Sequence, residues 1–170
     1  MAVRRVLSPV DRVSEVIFGL IMALTFTCTI SVAESGREEV RDVLVAALGC
    51  NIAWGLVDAV MYVVTALVER ARQVREGELP GPVSLNGQDL LGALAVFLLV
   101  SLATIPVVLP FLFLSEATRA LRFSNGIALV MLFISGWSLG RYAGLKPWLM
   151  GVSMLTIGVI LVGATIALGG

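Results

Sequence analysis

The sequence contains no histidine and only two cysteines, so the side chains that most often hold metals or carry out catalysis are scarce. Cys28 and Cys50 both lie in apolar runs without CxxC spacing, which gives no basis for a disulfide framework or a zinc site. A glycine-rich phosphate loop, a nucleophile elbow and an H-E-x-x-H motif are also missing from the sequence. We therefore expect neither an enzyme nor a bound cofactor.

Charged residues are scarce as well. They make up 14% of the 170 residues, against about a quarter in a typical soluble domain, whereas 58% of the residues are hydrophobic. The 12 basic and 12 acidic residues give a net charge of zero, and there is no basic stripe, which argues against a nucleic-acid partner. This composition predicts an integral membrane protein surrounded by membrane lipid.

Five apolar segments are long enough to cross a bilayer, which takes about 20 helical residues. They lie at about 13–32, 43–68, 90–114, 121–139 and 148–168. We predict an all-α fold in which residues 1–170 form a single membrane domain, a bundle of five transmembrane helices.

In the third segment, Pro106 and Pro110 each remove a backbone hydrogen bond, which predicts a bend. In the fourth, Gly136 and Gly140 form a small-xxx-small pair that allows close approach of another helix.

The basic residues are distributed unevenly between the two ends of these segments. Eight lie on the side of the N-terminus and of the 69–89 linker, and four lie on the opposite side. Because short loops rich in Lys and Arg stay in the cytoplasm, we expect a multi-pass protein of the bacterial inner (plasma) membrane. Its N-terminus would be cytoplasmic and its C-terminus outside.

A carboxylate, Asp58, interrupts the second segment in the stretch NIAWGLVDAVMY. It is 11 residues from Glu69, or about 16 Å of helix, which places it near the middle of a hydrocarbon core about 30 Å thick. Asn51 and Gly55 share its helix face. A carboxylate at that depth costs about 3 kcal/mol, so we interpret Asp58 as functional. The alternative is a protonated acid that serves packing, hydrogen-bonded to Asn51 or to another helix.

A second acid, Glu15, begins the first segment and shares one helix face with Gly19 and Met22. A carboxylate and a thioether on one face could bind a divalent transition metal. The alternative is that Glu15 lies at the headgroup level, near the positive end of the helix dipole. We expect Glu15 to be an entrance ligand near the cytoplasmic surface. We expect the deeper Asp58 to hold a proton until a cation arrives, since a low dielectric disfavours the charged form.

Four stretches together resemble the vacuolar iron transporter family, whose members exchange ferrous iron or manganese for protons. They are SEVIFGLIMALTFT, GCNIAWGLVDAVMY, VFLLVSLATIPVVLPFLFL with its paired prolines, and ALVMLFISGWSLGRYAGL. The resemblance covers most of the chain. It implies a five-helix bundle that dimerises, with a path between the first and second helices of two subunits. Glu15 would then occupy the place of the family's acidic residue in the first helix.

The chain departs from the family pattern in three places, one of which is Asp58, for which the family has no obvious counterpart. The glutamate-rich cytoplasmic insert between the second and third helices is missing, because only about twenty residues, 69–89, fill that gap. Trp54 stands before Gly55, where the family has a methionine, and Met61 two turns further on is the candidate replacement. The resemblance is therefore to a divergent member without the metal-binding insert.

The sequence thus predicts a proton-coupled transporter of divalent metal ions, iron or manganese. The candidate metal ligands are Glu15, Met22, Asn51, Asp58 and Met61. Because an odd number of spans excludes a simple inverted repeat within one chain, any symmetric pathway requires a second subunit, and we expect a homodimer. The alternative is a non-transporting membrane scaffold or partner-binding protein of the same fold. A third possibility is a channel or exchanger for a different small solute.

Overall fold

The described part of the chain folds into α-helices and contains no β-strand. The computed structural model describes residues 7–30, 37–77, 80–114 and 116–167, with the backbone alone described at 26–30, 37–43, 117–118 and 165–166. Six helices follow one another: α1 (Pro9–Ile30), α2 (Arg37–Arg75), α3 (Gly87–Ala103), α4 (Ile105–Phe113), α5 (Ala117–Tyr142) and α6 (Pro147–Ala167). The predicted all-α class is confirmed.

Four helical segments within the described residues are long and apolar enough to cross a membrane, judged by length and composition. They are Leu44–Arg75, Gly87–Phe113, Arg119–Tyr142 and Pro147–Ala164. These four correspond to the second to fifth predicted segments. The first predicted segment ends at 31–32, outside the described residues. Since α1 is not one of the four, a fifth crossing stays a prediction.

The helices α3 and α4 form one segment that is broken at Thr104. Pro106 has no N–H to donate to the carbonyl of Leu102 one turn earlier, and that carbonyl accepts the N–H of Thr104 instead. The N–H of Val107 donates to the Thr104 carbonyl at 3.0 Å, at the start of α4. The predicted bend is thus a break two residues before the first proline, and Pro110 lies inside α4.

The helices α5 and α6 pack closely at the predicted glycine pair. A methyl group on Gly136 would lie 2.7 Å from the carbonyl oxygen of Met150, and one on Gly140 would lie 2.8 Å from the Cα of Pro147. Neither distance leaves room for a side chain, so these glycines allow the two backbones to touch. The small-xxx-small prediction is confirmed.

The helices α2 and α3 are antiparallel neighbours. Tyr62 packs on Gly92, and Gly55, two turns earlier in α2, packs on Phe97 and Ser101, further along α3. We call the end of the bundle at which α2 ends and α3 begins the linker end, and the opposite end the far end.

An ion pair joins α2 to α3 at the linker end. The Arg70 guanidinium donates to both carboxylate oxygens of Asp89, at 2.9 and 3.1 Å, and to the carbonyl of Ser84. Asp89 also forms a capping box with Asn86, accepting its N–H at 2.8 Å while the Asn86 side chain accepts the N–H of Asp89 at 3.0 Å. These bonds tie the glycine- and proline-rich linker to the bundle.

A double-mutant cycle with Arg70→Gln and Asp89→Asn is expected to give a coupling energy of about 1–2 kcal/mol. The pair is bidentate, and its side chains are only 24% and 11% exposed. The exposed pair Arg72–Glu76, 3.1 Å apart, is the matched control and is expected to give less than about 0.5 kcal/mol. Unfolding in mild detergent measures both cycles. Equal coupling energies for the two pairs would contradict the stabilising role of the Arg70–Asp89 pair.

Candidate functional site

Two glycines bring α1 and α2 against the same stretch of α3. A methyl group on Gly19 of α1 would lie 2.7 Å from the carbonyl oxygen of Val100. A methyl group on Gly55 of α2 would lie 2.9 Å from the Ser101 hydroxyl oxygen and 3.2 Å from the Phe97 carbonyl oxygen. Since neither position has room for a side chain, the three helices meet at this level of the bundle.

The same contacts bring Glu15 and Asp58 to the same level of the bundle. Glu15 precedes Gly19 by one turn, and Asp58 follows Gly55 by about one turn. Because α2 runs antiparallel to α3 whereas α1 runs parallel to it, both acids lie on the linker-end side of the glycine contacts. Glu15 lies within electrostatic range of Asp58 on the neighbouring helix. The structure thus brings together the two acids that the sequence analysis placed on different helices.

The expected difference in depth, with Glu15 superficial and Asp58 deep in a membrane, stays a prediction. The expectation measured each acid from the nearest charged residues of its own helix. The helix α2 extends well past the start of α1 at the linker end, because it continues to Arg75, whereas α1 begins at Pro9. The distance of each acid from the charged end of its own helix therefore does not tell how deep the two acids lie relative to each other.

One oxygen of the Asp58 carboxylate has no hydrogen-bond partner among the described residues. This atom, Oδ2, is buried. The Ser101 hydroxyl, next to Gly55, is also buried and without a hydrogen-bond partner among the described residues. A buried polar atom left without a partner costs about 1–3 kcal/mol. A cation or a proton at the Asp58 carboxylate would satisfy that oxygen.

Tyr62 lies on the linker-end side of Asp58. Its ring packs on Gly92 of α3, where a larger residue would leave no space for it. Its hydroxyl lies within electrostatic range of Asp11 at the start of α1 and of Asp89 at the start of α3. Tyr62 therefore stands between the acid pair and the linker end of the bundle.

Asn51 forms a structural bond. Its side-chain nitrogen donates to the carbonyl oxygen of Val100 at 3.3 Å, and the residue is only 2% exposed. Val100 is also the residue against which Gly19 packs. Asn51 lies seven residues from Asp58, about 10 Å further toward the far end. The predicted shared face is present, but Asn51 and the acid pair are at different levels.

Replacement of Asn51 by Leu is expected to lower stability by about 1–2 kcal/mol, because the buried Val100 carbonyl loses its side-chain donor. Ser153→Ala is the control, since that exposed hydroxyl bonds only to the Leu149 carbonyl of its own helix, at 2.8 Å. We expect its effect to stay within about 0.5 kcal/mol. Unfolding in mild detergent measures both variants. An Asn51→Leu protein as stable as the wild type would show that Asn51 has no structural role.

The two candidate methionines lie apart from the acids. Met22 is half-buried, on the face of Glu15 but two turns, or about 10 Å, toward the far end. The Met61 side chain is 54% exposed on the outer surface of α2. Within the described residues, no group of three or more His, Cys, Asp or Glu side chains is placed to hold a metal ion. In one subunit the acid pair is therefore the centre of the candidate site.

Ser101 was not predicted as a site residue from the sequence. Its only signal was a single hydroxyl in the apolar stretch LLVSLA, and a periodic pattern cannot tell which neighbour such a side chain faces. The contact with Gly55 assigns it to the α2–α3 seam, one turn from the level of the acids. Thr104, at the break before α4, is similarly buried, and its hydroxyl has no partner among the described residues.

Neither a protein-family model nor a curated protein matches the sequence. The resemblance to the vacuolar iron transporter family therefore rests on its motifs and enters the functional argument only as a proposal.

Proposed function

We propose that the chain is a five-span protein of the bacterial inner (plasma) membrane, with its N-terminus in the cytoplasm. The four long apolar helices support this proposal. Large apolar side chains exposed on α2, such as Val45, Leu56 and Val64, support it as well, since acyl chains can cover them and water cannot do so favourably. The helix α1 packs against α3, α5 and α6 and would supply the fifth crossing.

The proposed activity is transport of a divalent metal ion, iron or manganese, as in the family that the sequence resembles. The observation that carries it is the pair of carboxylates, Glu15 and Asp58, between apolar helices, with one Asp58 oxygen buried and without a partner in the described part of the chain. Two adjacent carboxylates repel each other and attract a divalent cation, and intramembrane acids of this kind mark ion paths. Carboxylate oxygens suit Mn²⁺, and Met22 would offer a softer ligand for Fe²⁺ as the ion moves on.

Proton coupling in this proposal follows from the same pair. Without a cation, two carboxylates in a low-dielectric place cannot both stay charged at low cost, so at least one proton is shared at the pair. A divalent cation displaces that proton when it binds. Metal and protons thus occupy the pair in alternation, as an exchanger requires.

The proposed assembly is a homodimer that joins its subunits through α1 and α2. Phe18 and Trp54 form an edge-to-face contact with ring centroids 6.2 Å apart on this outer face. Met61 lies on the surface of α2. A second copy packed there would bring Met61 of each subunit toward the other and complete a symmetric path. Sizing in mild detergent, together with cross-linking of cysteines placed on α1, measures this assembly.

The proposed function is tested with purified protein in liposomes and a panel of Fe²⁺, Mn²⁺, Co²⁺ and Zn²⁺. Uptake of iron or manganese well above that of protein-free liposomes is the expected result. If no metal of the panel moves faster than in protein-free liposomes, the chain is not a metal transporter. The non-transporting scaffold, which needs no metal, would then be favoured.

A further inference from the structure

A cavity of about 420 Å³ lies at the linker end, away from the acid pair. It is lined by Pro9, Arg12 and Val13 of α1 and by Tyr142 at the end of α5. On the helical wheel, the three α1 residues centre about 110° from Glu15, so they face a different side of the helix. The volume is within the range of small-molecule sites, about 300–1,000 Å³.

The cavity carries the positive charge of Arg12. The Arg12 guanidinium donates to the Leu7 carbonyl at 3.3 Å and forms no ion pair with any described carboxylate. The neighbouring Asp11 carboxylate is engaged by the N–H of Ser8 at 3.0 Å. Arg12 therefore has N–H donors left for a ligand, and an oxyanion is the group that an arginine fork fits best.

Aromatic residues place the cavity at the level of a membrane interface. Tyr142 lines it, and one turn earlier Trp137 lies under the Arg141 guanidinium, 5.0 Å from the ring centroid. Trp and Tyr concentrate where a membrane meets water, and basic pockets between helix ends at that level bind anionic headgroups. Arg141 and the exposed Lys146 add positive charge at the same end of the bundle.

We propose that this cavity binds the phosphate headgroup of an anionic phospholipid, with Arg12 pairing with the phosphate and the Tyr142 hydroxyl donating a hydrogen bond to it. The inference rests on the proposed membrane placement and not on the transport activity. The acyl chains would lie along the apolar surfaces of α1 and α5. A lipid held there would fix the start of α1, the helix that carries Glu15.

The test uses the full-length protein, stripped of lipid in a neutral detergent and titrated with dioleoyl phosphatidylglycerol. Native mass spectrometry counts bound lipid, and dioleoyl phosphatidylcholine and inorganic phosphate are the parallel titrants. We expect phosphatidylglycerol to bind, and Arg12→Gln to weaken this binding by about tenfold or more. Arg75→Gln is the matched control, because Arg75 is also an exposed arginine at the linker end but lies on α2.

Tyr142→Phe keeps the ring and removes the hydroxyl, so it is expected to weaken binding less than Arg12→Gln does. Equal binding of phosphatidylcholine, or an unchanged affinity in both variants, would overturn the proposal. Inorganic phosphate that binds as tightly as phosphatidylglycerol would also overturn it, since the ligand would then be free phosphate. None of these outcomes depends on metal transport, so a failure here is distinguishable from a failure of the proposed function.

Discussion

Liposomes containing Asp58→Asn are expected to take up manganese with no dependence on pH and at a rate at least about tenfold below that of the wild type. The amide is nearly isosteric with a protonated carboxyl group, so the variant should fold and insert normally. The amide itself cannot exchange a proton for a cation, however, and it offers the metal no charge. Loss of hydrogen-bonded groups around a metal ligand already costs about 10- to 100-fold, and loss of the ligand itself should cost no less.

Glu15→Gln is the companion variant, and it is expected to change the affinity for metal and not the pH dependence. We expect it to weaken the apparent affinity for manganese by about tenfold while the rate still rises with pH, because Asp58 keeps its exchangeable proton. The initial rate across a pH series measures both variants, and thermal unfolding in detergent is the control for folding. If Asp58→Asn keeps the wild-type pH dependence, or if it alone unfolds the protein, Asp58 is a packing residue.

The second large effect is expected for Gly19→Ala, which should lower the stability by about 1–3 kcal/mol and also impair metal uptake. The new methyl group would lie 2.7 Å from the backbone oxygen of Val100 and 3.2 Å from the Cβ of Ala103. Since backbone atoms cannot turn aside as a flexible side chain can, α1 would have to move away from α3. That movement would carry Glu15 away from Asp58.

Gly126→Ala in α5 is the control for this prediction. Nothing lies within 4 Å of a methyl group placed there, so alanine adds helix propensity without a clash. We expect this variant to be as stable as the wild type or more stable, by up to about 1 kcal/mol. A Gly19→Ala protein with wild-type stability and uptake would mean that α1 and α3 do not touch at Gly19.

Features that depend on helical period or on one residue's covalent chemistry were predictable from the sequence. The stripe of Asn51, Gly55 and Tyr62 faces α3, because residues about one turn apart share a face. The break near Pro106 follows from its missing N–H, and the close packing at Gly136 follows from its missing side chain.

Features that depend on the offset between two helices were not predictable. The proximity of Glu15 to Asp58 is set by how far α1 and α2 slide along α3, and the glycine contacts decide that offset. The Arg70–Asp89 pair joins residues 19 positions apart across a loop, so no helical period relates them. The residue pattern within one helix predicts which side chains share a face. The level at which the faces of two helices meet depends on how the helices pack.

The central claim is that the Glu15–Asp58 pair exchanges a divalent cation for protons. The most direct measurement records manganese uptake and luminal pH together in liposomes that contain the wild-type protein or Asp58→Asn. The account predicts that manganese uptake makes the lumen of wild-type liposomes more alkaline, because protons leave as the metal arrives, and that the variant shows no such coupled change. Manganese uptake without proton movement in the wild type, or the same coupled movement in Asp58→Asn, would contradict it.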